Sequence, residues 1–304
     1  MTFNIDFMGR RKIAAIFSIL LILASIAALA TRGLNFGLDF TGGTLLEVGF
    51  EEVVEPEAIR QHLEAEGFQD GVVQYFGTNT ELLVRMPPQD GVDQTKLGDE
   101  IIASLRQQYG DVDLRQSNFV GPAVGQELTE DGGLAMLAAL AVVMIYILFR
   151  FTKQFSVGAV TALVHDVLIV LGLFSAFQWT FDLPVLAALL AVIGYSLNDT
   201  IVVSDRIREN FRRSRKNDSV ATINTSLNQT LGRTLVTSGT TLFVLVSLLV
   251  FGGEMIRGFA SALTVGVVIG TYSSIYVAAT VLLAMNITRE DLLVPEKEQV
   301  EETP

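Results

Sequence analysis

The sequence predicts a polytopic α-helical membrane protein: six transmembrane helices, with an α+β domain of βαββαβ order outside the cytoplasm between helices 1 and 2. Three observations predict it. Of 304 residues, 50% are hydrophobic and only 18% charged, with a mean hydropathy of +0.46, too apolar for a soluble globular chain of this length. Apolar runs of about 20 residues, the length that spans a bilayer, recur six times. The charge is concentrated between Arg32 and Asp131, where 19 acidic and 6 basic residues give a local balance of −13 against a whole-chain value of −12. So acidic a segment excludes an electrostatic nucleic-acid surface, which needs clustered Lys and Arg. With no cysteine, no disulfide framework exists to read.

The runs lie at Ile13 to Ala30, Gly133 to Phe149, Phe155 to Phe177, Leu183 to Val203, Thr234 to Phe251 and Phe259 to Leu283. Lys and Arg near span ends favour the cytoplasm. Arg10, Arg11 and Lys12 precede the first run, Arg150 and Lys153 separate the second from the third, and Arg206, Arg208, Arg212, Arg213, Arg215 and Lys216 follow the fourth. The opposite loops carry only Arg257, and Trp179 marks an outer boundary, where interfacial aromatics concentrate. Both termini are expected in the cytoplasm. The division is then a cytoplasmic N-terminus (1–12), helix 1 (13–30), the extracytoplasmic domain (31–132), helices 2 to 6 (133–285) with a basic cytoplasmic loop at about 204–233, and a cytoplasmic acidic tail (286–304). "RRK", an apolar run and "AALA" also fit a cleaved signal peptide, but the run exceeds the roughly 7 to 15 residues such peptides use, so a retained helix is favoured.

In the outer segment "GGTLLEVGF" is strand-like, and "PEAIRQHLEAEG" is a helix opened by Pro56 and closed by Gly67. "VVQYFGTNTELLVRM" reads as two strands around a Gly77 to Thr80 turn, and "QTKLGDEIIASLRQQYG" as a helix capped at Gly110. "DVDLRQSNFVG" supplies a last strand. The order is that of a ferredoxin-like domain. It holds no residue group suited to catalysis, metal or cofactor binding, and His62 reads as a solvated helix position.

"GLDFTGG" (Gly37 to Gly43) has three glycines and Asp39 but no phosphate-loop spacing, so from the residues it is a turn feeding a strand. "VGPAVGQELTEDG" (Val120 to Gly132), with Gly121, Pro122 and Gly125, suits either an ordered hinge or a plain linker. "GVVIG" (Gly266 to Gly270) permits close helix packing, a pattern common by chance.

Charged residues inside the spans carry the chemistry. An ionised carboxylate at a bilayer centre costs at least about 2.5 to 3.5 kcal/mol, so such residues face a protein interior and mark ion or proton pathways. Asp199 follows Tyr195 by four residues and Ser196 by three, so they share a helix face. Arg233, Thr237 and Thr241 recur every four residues and make a second polar stripe. Burial disfavours the ionised form of Asp199 and a nearby Arg233 favours it, so opening the site to water or moving the arginine would load and release a proton. A static Asp199–Arg233 pair fixing helix register is the alternative. Asp166, at mid-span, reads either as a second relay group or as a packed, protonated residue; the neighbouring His165 should diverge from it. Asp205 and Arg206 read as solvated anchors.

Taken in order, "GLDFTGG", "FVGPAVGQEL", "VHDVLIVLGLF", "IGYSLNDTIVVSDRIREN" and "RTLVTSGTTL" resemble the signature blocks of the SecF family of bacterial protein-export membrane proteins, within the resistance-nodulation-division superfamily. The resemblance marks Gly37, Asp39, Phe40, Gly42, Gly43, Gly121, Pro122, Gly125, Asn198, Ser238 and Gly239 as motif residues, and it implies proton coupling through Asp199 and Arg233. It further implies an inner-membrane location, a companion SecD with six more helices, association with the SecYEG channel and YajC, and contact with translocating preprotein. A proton-driven exporter of small molecules and an uncoupled assembly subunit are the rival functions. The first calls for a longer chain with two six-helix halves; the second needs no titratable core.

Overall fold

The computed structural model describes residues 4–89, 93–214, 218–288 and 290–292. Arg215, Lys216 and the acidic tail from residue 293 lie outside the described residues, as do the expectations placed on them. A 3-10 turn leads into α1 (Arg11–Arg32), followed by β1 (Asn35–Phe36), the one-turn helix α2 (Leu38–Thr41), β2 (Gly43–Phe50), α3 (Pro56–Ala65), β3 (Val72–Phe76), β4 (Thr78–Met86), α4 (Leu97–Tyr109) and β5 (Val112–Val120). The chain continues through α5 (Pro122–Arg150), α6 (Lys153–Phe177), β6 (Thr180–Phe181), α7 (Leu183–Arg213), α8 (Ser219–Phe251) and α9 (Glu254–Ala284). Among the described residues, six helices are long and apolar enough to cross a membrane, one each from α1 and α5 to α9. The chain is a multi-pass helical membrane protein.

Between α1 and α5, β2 to β5 form an antiparallel sheet in the order β3-β4-β2-β5. Strand alternation sends Leu82, Val84 and Met86 of β4 into the core against Leu63 of α3 and Leu105 of α4, each essentially fully buried. Burying such side chains contributes roughly 1.5 to 3 kcal/mol apiece. The same alternation leaves Arg85 on the other face, where it reaches back to the exit of α1: its Nη1 donates to the Phe36 carbonyl at 2.7 Å and its Nη2 to Asn35 Oδ1 at 2.9 Å. The β3–β4 turn is tighter than the expected Gly77 to Thr80, because Gly77 adopts φ 75 and pairing resumes at once between Phe76 and Thr78. His62 is not solvated: it is half-buried, with Nε2 2.9 Å from Ser104 Oγ and the Tyr109 ring edge-on, because α3 and α4 lie side by side.

In the bundle, α6 and α7 have 56% of their apolar windows buried, against 6% for α5, so they form the centre, with α9 packed on both. Glycines allow the close approaches. A Cβ on Gly266 would sit 2.1 Å from a Val192 methyl, one on Gly172 2.2 Å from Ser25 Cβ, and one on Gly158 3.1 Å from the Ala278 carbonyl. "GVVIG" is therefore the α9 surface that meets α7. Helices overrun the apolar runs at several ends, since hydropathy marks the bilayer crossing while helix-forming Arg and Glu carry the backbone onward. Val120 to Gly132 is ordered and not a plain linker: Val120 ends β5, Gly121 caps α5, Pro122 takes its first position, and the rest forms its opening turns. The expected basic loop at about 204–233 is mostly helix, as α7 runs to Arg213 and α8 starts at Ser219 under an Asp218 cap that accepts the Ala221 N–H at 2.9 Å.

Candidate functional site

Asp199 projects from the middle of α7 into the bundle and is 3% exposed; its Oδ2 has no hydrogen-bond partner among the described residues. Its immediate polar neighbour is the Ser238 hydroxyl of α8, with Arg233 near enough to act through space. The Arg233 side chain is exposed and makes no direct ion pair with Asp199 among the described residues, so the alternative of a static, directly bonded pair is not the arrangement here. Ser238 Oγ lies 2.7 Å from Thr271 Oγ1 of α9 and accepts from the Tyr195 hydroxyl at 3.3 Å. Tyr195 thus reaches Ser238, the neighbour of Asp199. Thr237 and Thr241 donate to carbonyls one turn back on α8, Arg233 and Thr237 respectively, as helical hydroxyls in apolar surroundings do. They do not reach Asp199.

The second carboxylate, Asp166 of α6, is fully buried and bonded on every side. Its Oδ2 accepts from Ser196 of α7 and from Ser273 of α9, the latter at 2.7 Å. Its Oδ1 lies 2.8 Å from His165 Nδ1. The expected divergence of these adjacent side chains does not occur, because both turn into the same buried space beside α1 and α9. The His165 ring stacks on Tyr272, whose hydroxyl donates to the Ala14 carbonyl and lies 2.9 Å from Ser18 of α1. His165 Nε2 is buried without a partner among the described residues.

Ser196 ties the two carboxylates together. It binds Asp166 across the α6–α7 contact and stands one turn before Asp199 on the same helix face. A polar layer therefore crosses α6, α7, α8 and α9 inside otherwise apolar helices. Hydroxyls both donate and accept, so such a layer can relay a proton to or from a carboxylate. Asp166, Asp199, Ser196 and Ser238 meet in it; Thr237, Thr241 and Arg233 do not. Ser273, Thr271 and His165 are additions. Their one sequence signal is polarity within an apolar run, and nothing local says which span they face.

The motif near the exit of α1 forms a second structured place. "GLDFTGG" is not a plain turn: Leu38 to Thr41 close one helical turn, and Gly42 (φ 68) and Gly43 (φ 117) swing the chain into β2. Both glycines are required sterically as well. A Cβ on Gly42 would lie 2.9 Å from Pro122 Cα and one on Gly43 2.3 Å from the Met86 carbonyl; one on Gly125 would lie 2.9 Å from the Gly42 nitrogen, so α2 and the start of α5 pack backbone to backbone. β1 pairs in parallel with β6, Phe36 opposite Phe181, and Phe40 stacks on Phe181. Asp39 Oδ2 accepts the Leu183 N–H, the first of α7, at 3.0 Å, while Asp182 Oδ1 takes the Val185 N–H at 2.9 Å. Burial pushes the Asp182 carboxyl above its usual range; the Val185 bond works against this and the Asp39 charge adds to it.

Asn198 and Gly239 face outward, Gly239 with nothing within 4 Å of where a Cβ would sit. Arg233 is exposed as well, six residues before Gly239 on α8, so the two point in different directions from that helix. Polar groups at such depth do not face lipid tails without cost. Among the described residues no group of three or more His, Asp or Glu side chains is placed to hold a metal.

Comparison with known proteins places these features. Residues 100–288 match the family described as protein export membrane protein SecD/SecF, C-terminal, and residues 27–52 match the SecD/SecF GG motif. The chain is similar to the protein translocase subunit SecF of Vibrio alginolyticus, 52% identical over 97% of this chain and 94% of the relative, and to that of Pseudomonas aeruginosa, 48% identical over 99% and 98%. Among solved structures it resembles SecDF, a translocon-associated membrane protein from Thermus thermophilus, with a TM-score of 0.85 and 38% identity, covering 93% of this chain but 39% of that one. A SecDF structure in a Super-membrane-facing form gives a TM-score of 0.70 at the same 38% identity. On a match to more than half its length and relatives near 50% identity across almost all of it, the chain belongs to the SecD/SecF family of protein-export membrane proteins.

Proposed function

We propose that this chain is the SecF subunit of a Sec translocase accessory complex in the bacterial inner membrane, and that with SecD it uses the proton motive force to promote late, ATP-independent translocation of preproteins. The observation that carries the coupling is Asp199: a carboxylate buried at the middle of α7 with one oxygen unpartnered among the described residues, beside the Ser238 hydroxyl of α8, which is itself bonded to Thr271 of α9. Such a group changes charge state when water or a proton reaches it, and each state favours a different packing of α7. One proton crossing 100 mV supplies about 2.3 kcal/mol, enough to bias a conformational step. Asp166, with both oxygens already engaged, acts as the fixed member that holds Ser196.

Arg233 is exposed on α8 among otherwise apolar residues, and a second six-helix half, SecD, would pack there and shield the arginine. The outer unit is read as ferredoxin-like, on its βαββαβ order and β3-β4-β2-β5 sheet, and as the part that engages preprotein at the SecYEG channel, with YajC an associated subunit. Lys and Arg at the span ends favour both termini in the cytoplasm.

The test is export of a secreted substrate into energised membrane vesicles, wild type against Asp199→Asn, at equal SecF and SecD abundance and with or without a proton gradient. The variant is expected to lose the gradient-dependent part of late export. Unchanged export would assign Asp199 to structure and leave an uncoupled assembly subunit as the function.

A further inference from the structure

We propose that Asp39 is a positioning residue that ties movement of the outer domain to α7, the helix carrying Asp199; this rests on the proton-coupled reading above. A helix start leaves N–H groups without intrahelical partners, and one acid from the adjoining chain usually serves. In α7 that acid is Asp182, bonded to the Val185 N–H. Asp39 supplies a second cap from 144 residues away, taking the Leu183 N–H at 3.0 Å. A local cap stabilises its own helix. A cap carried on another domain's stem also fixes where that helix stands.

The stem is short and stiff. Asp39 is four residues from Gly43, where the central strand β2 begins, and the chain between them is one helical turn and two glycines locked against Pro122 and Met86. On the other side, Gly37 donates to the Phe181 carbonyl at 2.8 Å, and a Cβ on Gly37 would come within 3.0 Å of Asp182 Cβ. Arg85 of β4 grips the same stem at Phe36 and Asn35. From Leu183 to Asp199 α7 is continuous helix, about 24 Å at 1.5 Å per residue, so a shift or tilt at one end is felt at the other. Two carboxylates, Asp39 and Asp182, meet the positive end of α7, and among the described residues the Asp182 carboxylate bonds within its own segment.

The experiment measures gradient-dependent export and proton uptake in vesicles holding SecF with SecD, for wild type, Asp39→Ala, Asp39→Asn, Leu183→Pro, Leu183→Ala and Asp199→Asn. Loss of a cap acceptor shifts an equilibrium roughly 2- to 30-fold, so Asp39→Ala should lower gradient-dependent export at least about threefold while proton uptake persists. Asp39→Asn should recover most of it, because the amide oxygen still accepts. Leu183→Pro removes the donor instead: proline is tolerated at the first helical position, and Asp182 already has the extended backbone (ψ −178) that a following proline requires. It should reproduce Asp39→Ala and, read against Leu183→Ala, which loses the same partly buried side chain but keeps the N–H, it decides the matter if Asp39→Ala fails to accumulate. Wild-type export by both Asp39→Ala and Leu183→Pro, or an Asp39→Asn loss as deep as that of alanine, overturns the proposal. If Asp199→Asn alone exports normally, it is the proton-coupled reading that fails.

Discussion

The buried network at Asp166 separates structure from proton chemistry by substitution. Asp166→Ala removes the acceptor for Ser196, Ser273 and the His165 ring nitrogen. Ser273 has a second acceptor in the Gly270 carbonyl at 3.2 Å and loses little. Ser196 and His165 have no alternative partner among the described bonds, and His165 already carries one unpartnered nitrogen. Leaving a buried polar group unsatisfied costs about 1 to 3 kcal/mol, so two such groups cost about 2 to 6 kcal/mol, a large share of a total stability of about 5 to 15. Asp166→Asn is different, for its amide oxygen can take both serines while its NH₂ faces His165 Nδ1 once the ring shifts tautomer. The asparagine chain should therefore accumulate and melt within about 1.5 kcal/mol of wild type, and support gradient-dependent export. The assays are membrane abundance, denaturant unfolding in detergent, and vesicle export. An alanine variant as stable as wild type refutes the network argument. A stable asparagine variant that loses gradient-dependent export makes Asp166 a relay group, not an anchor.

Two further outcomes follow from packing and charge. Gly266→Leu drives a side chain into Val192, one methyl of which lies 2.1 Å from where even a Cβ would sit, and overpacking of this kind costs about 1 to 3 kcal/mol or more; Gly239→Leu, with open space around it, should leave detergent unfolding of the isolated chain unchanged, and equal behaviour of the two would contradict the α7–α9 contact. At the head of α7, Asp182 holds its proton more tightly folded than unfolded. Below the ordinary carboxylate range both states are protonated and nothing is lost; as pH rises, the unfolded chain releases its proton first and wild-type stability falls. Asp182→Asn keeps a capping acceptor without that proton, so its stability advantage should grow as pH rises above the ordinary carboxylate range, about pH 4, and a flat difference would remove the argument.

What could be read in advance divides along a physical line. The six spans, the acidic domain and its strand and helix order follow from periodicities of 3.6 and 2 and from breakers such as Pro56 and Gly110, which act within one segment. Asp199 stood out because a carboxylate in an apolar run is costly wherever it points. Partner choice between spans has no such local signal. Arg233 and Thr237 share a stripe with each other, yet it was Ser238, one residue on and rotated about 100° around the helix, that met Asp199. The adjacency of His165 and Asp166 suggested divergence, but both turned inward, since α6 is central and enclosed by α1 and α9.

The glycines show the same division from the other side. Gly42 and Gly43 could be read as positions of free backbone, but their necessity comes from Pro122 and Met86, 80 and 43 residues along. "GVVIG" is by itself a pattern common by chance, and Val192 and Ser196 packed against it give it its role. That contact has a consequence for the site, because Gly270 touches Ser196, and Ser196 holds Asp166 while sharing a turn with Asp199. The position of α7 along α9 is therefore set within ångströms by atoms adjacent to both carboxylates. On the proton-coupled reading proposed above, a change of charge at Asp199 would therefore act on the α7–α9 contact as a whole, and the Leu183 end of the same helix is the one capped by Asp39.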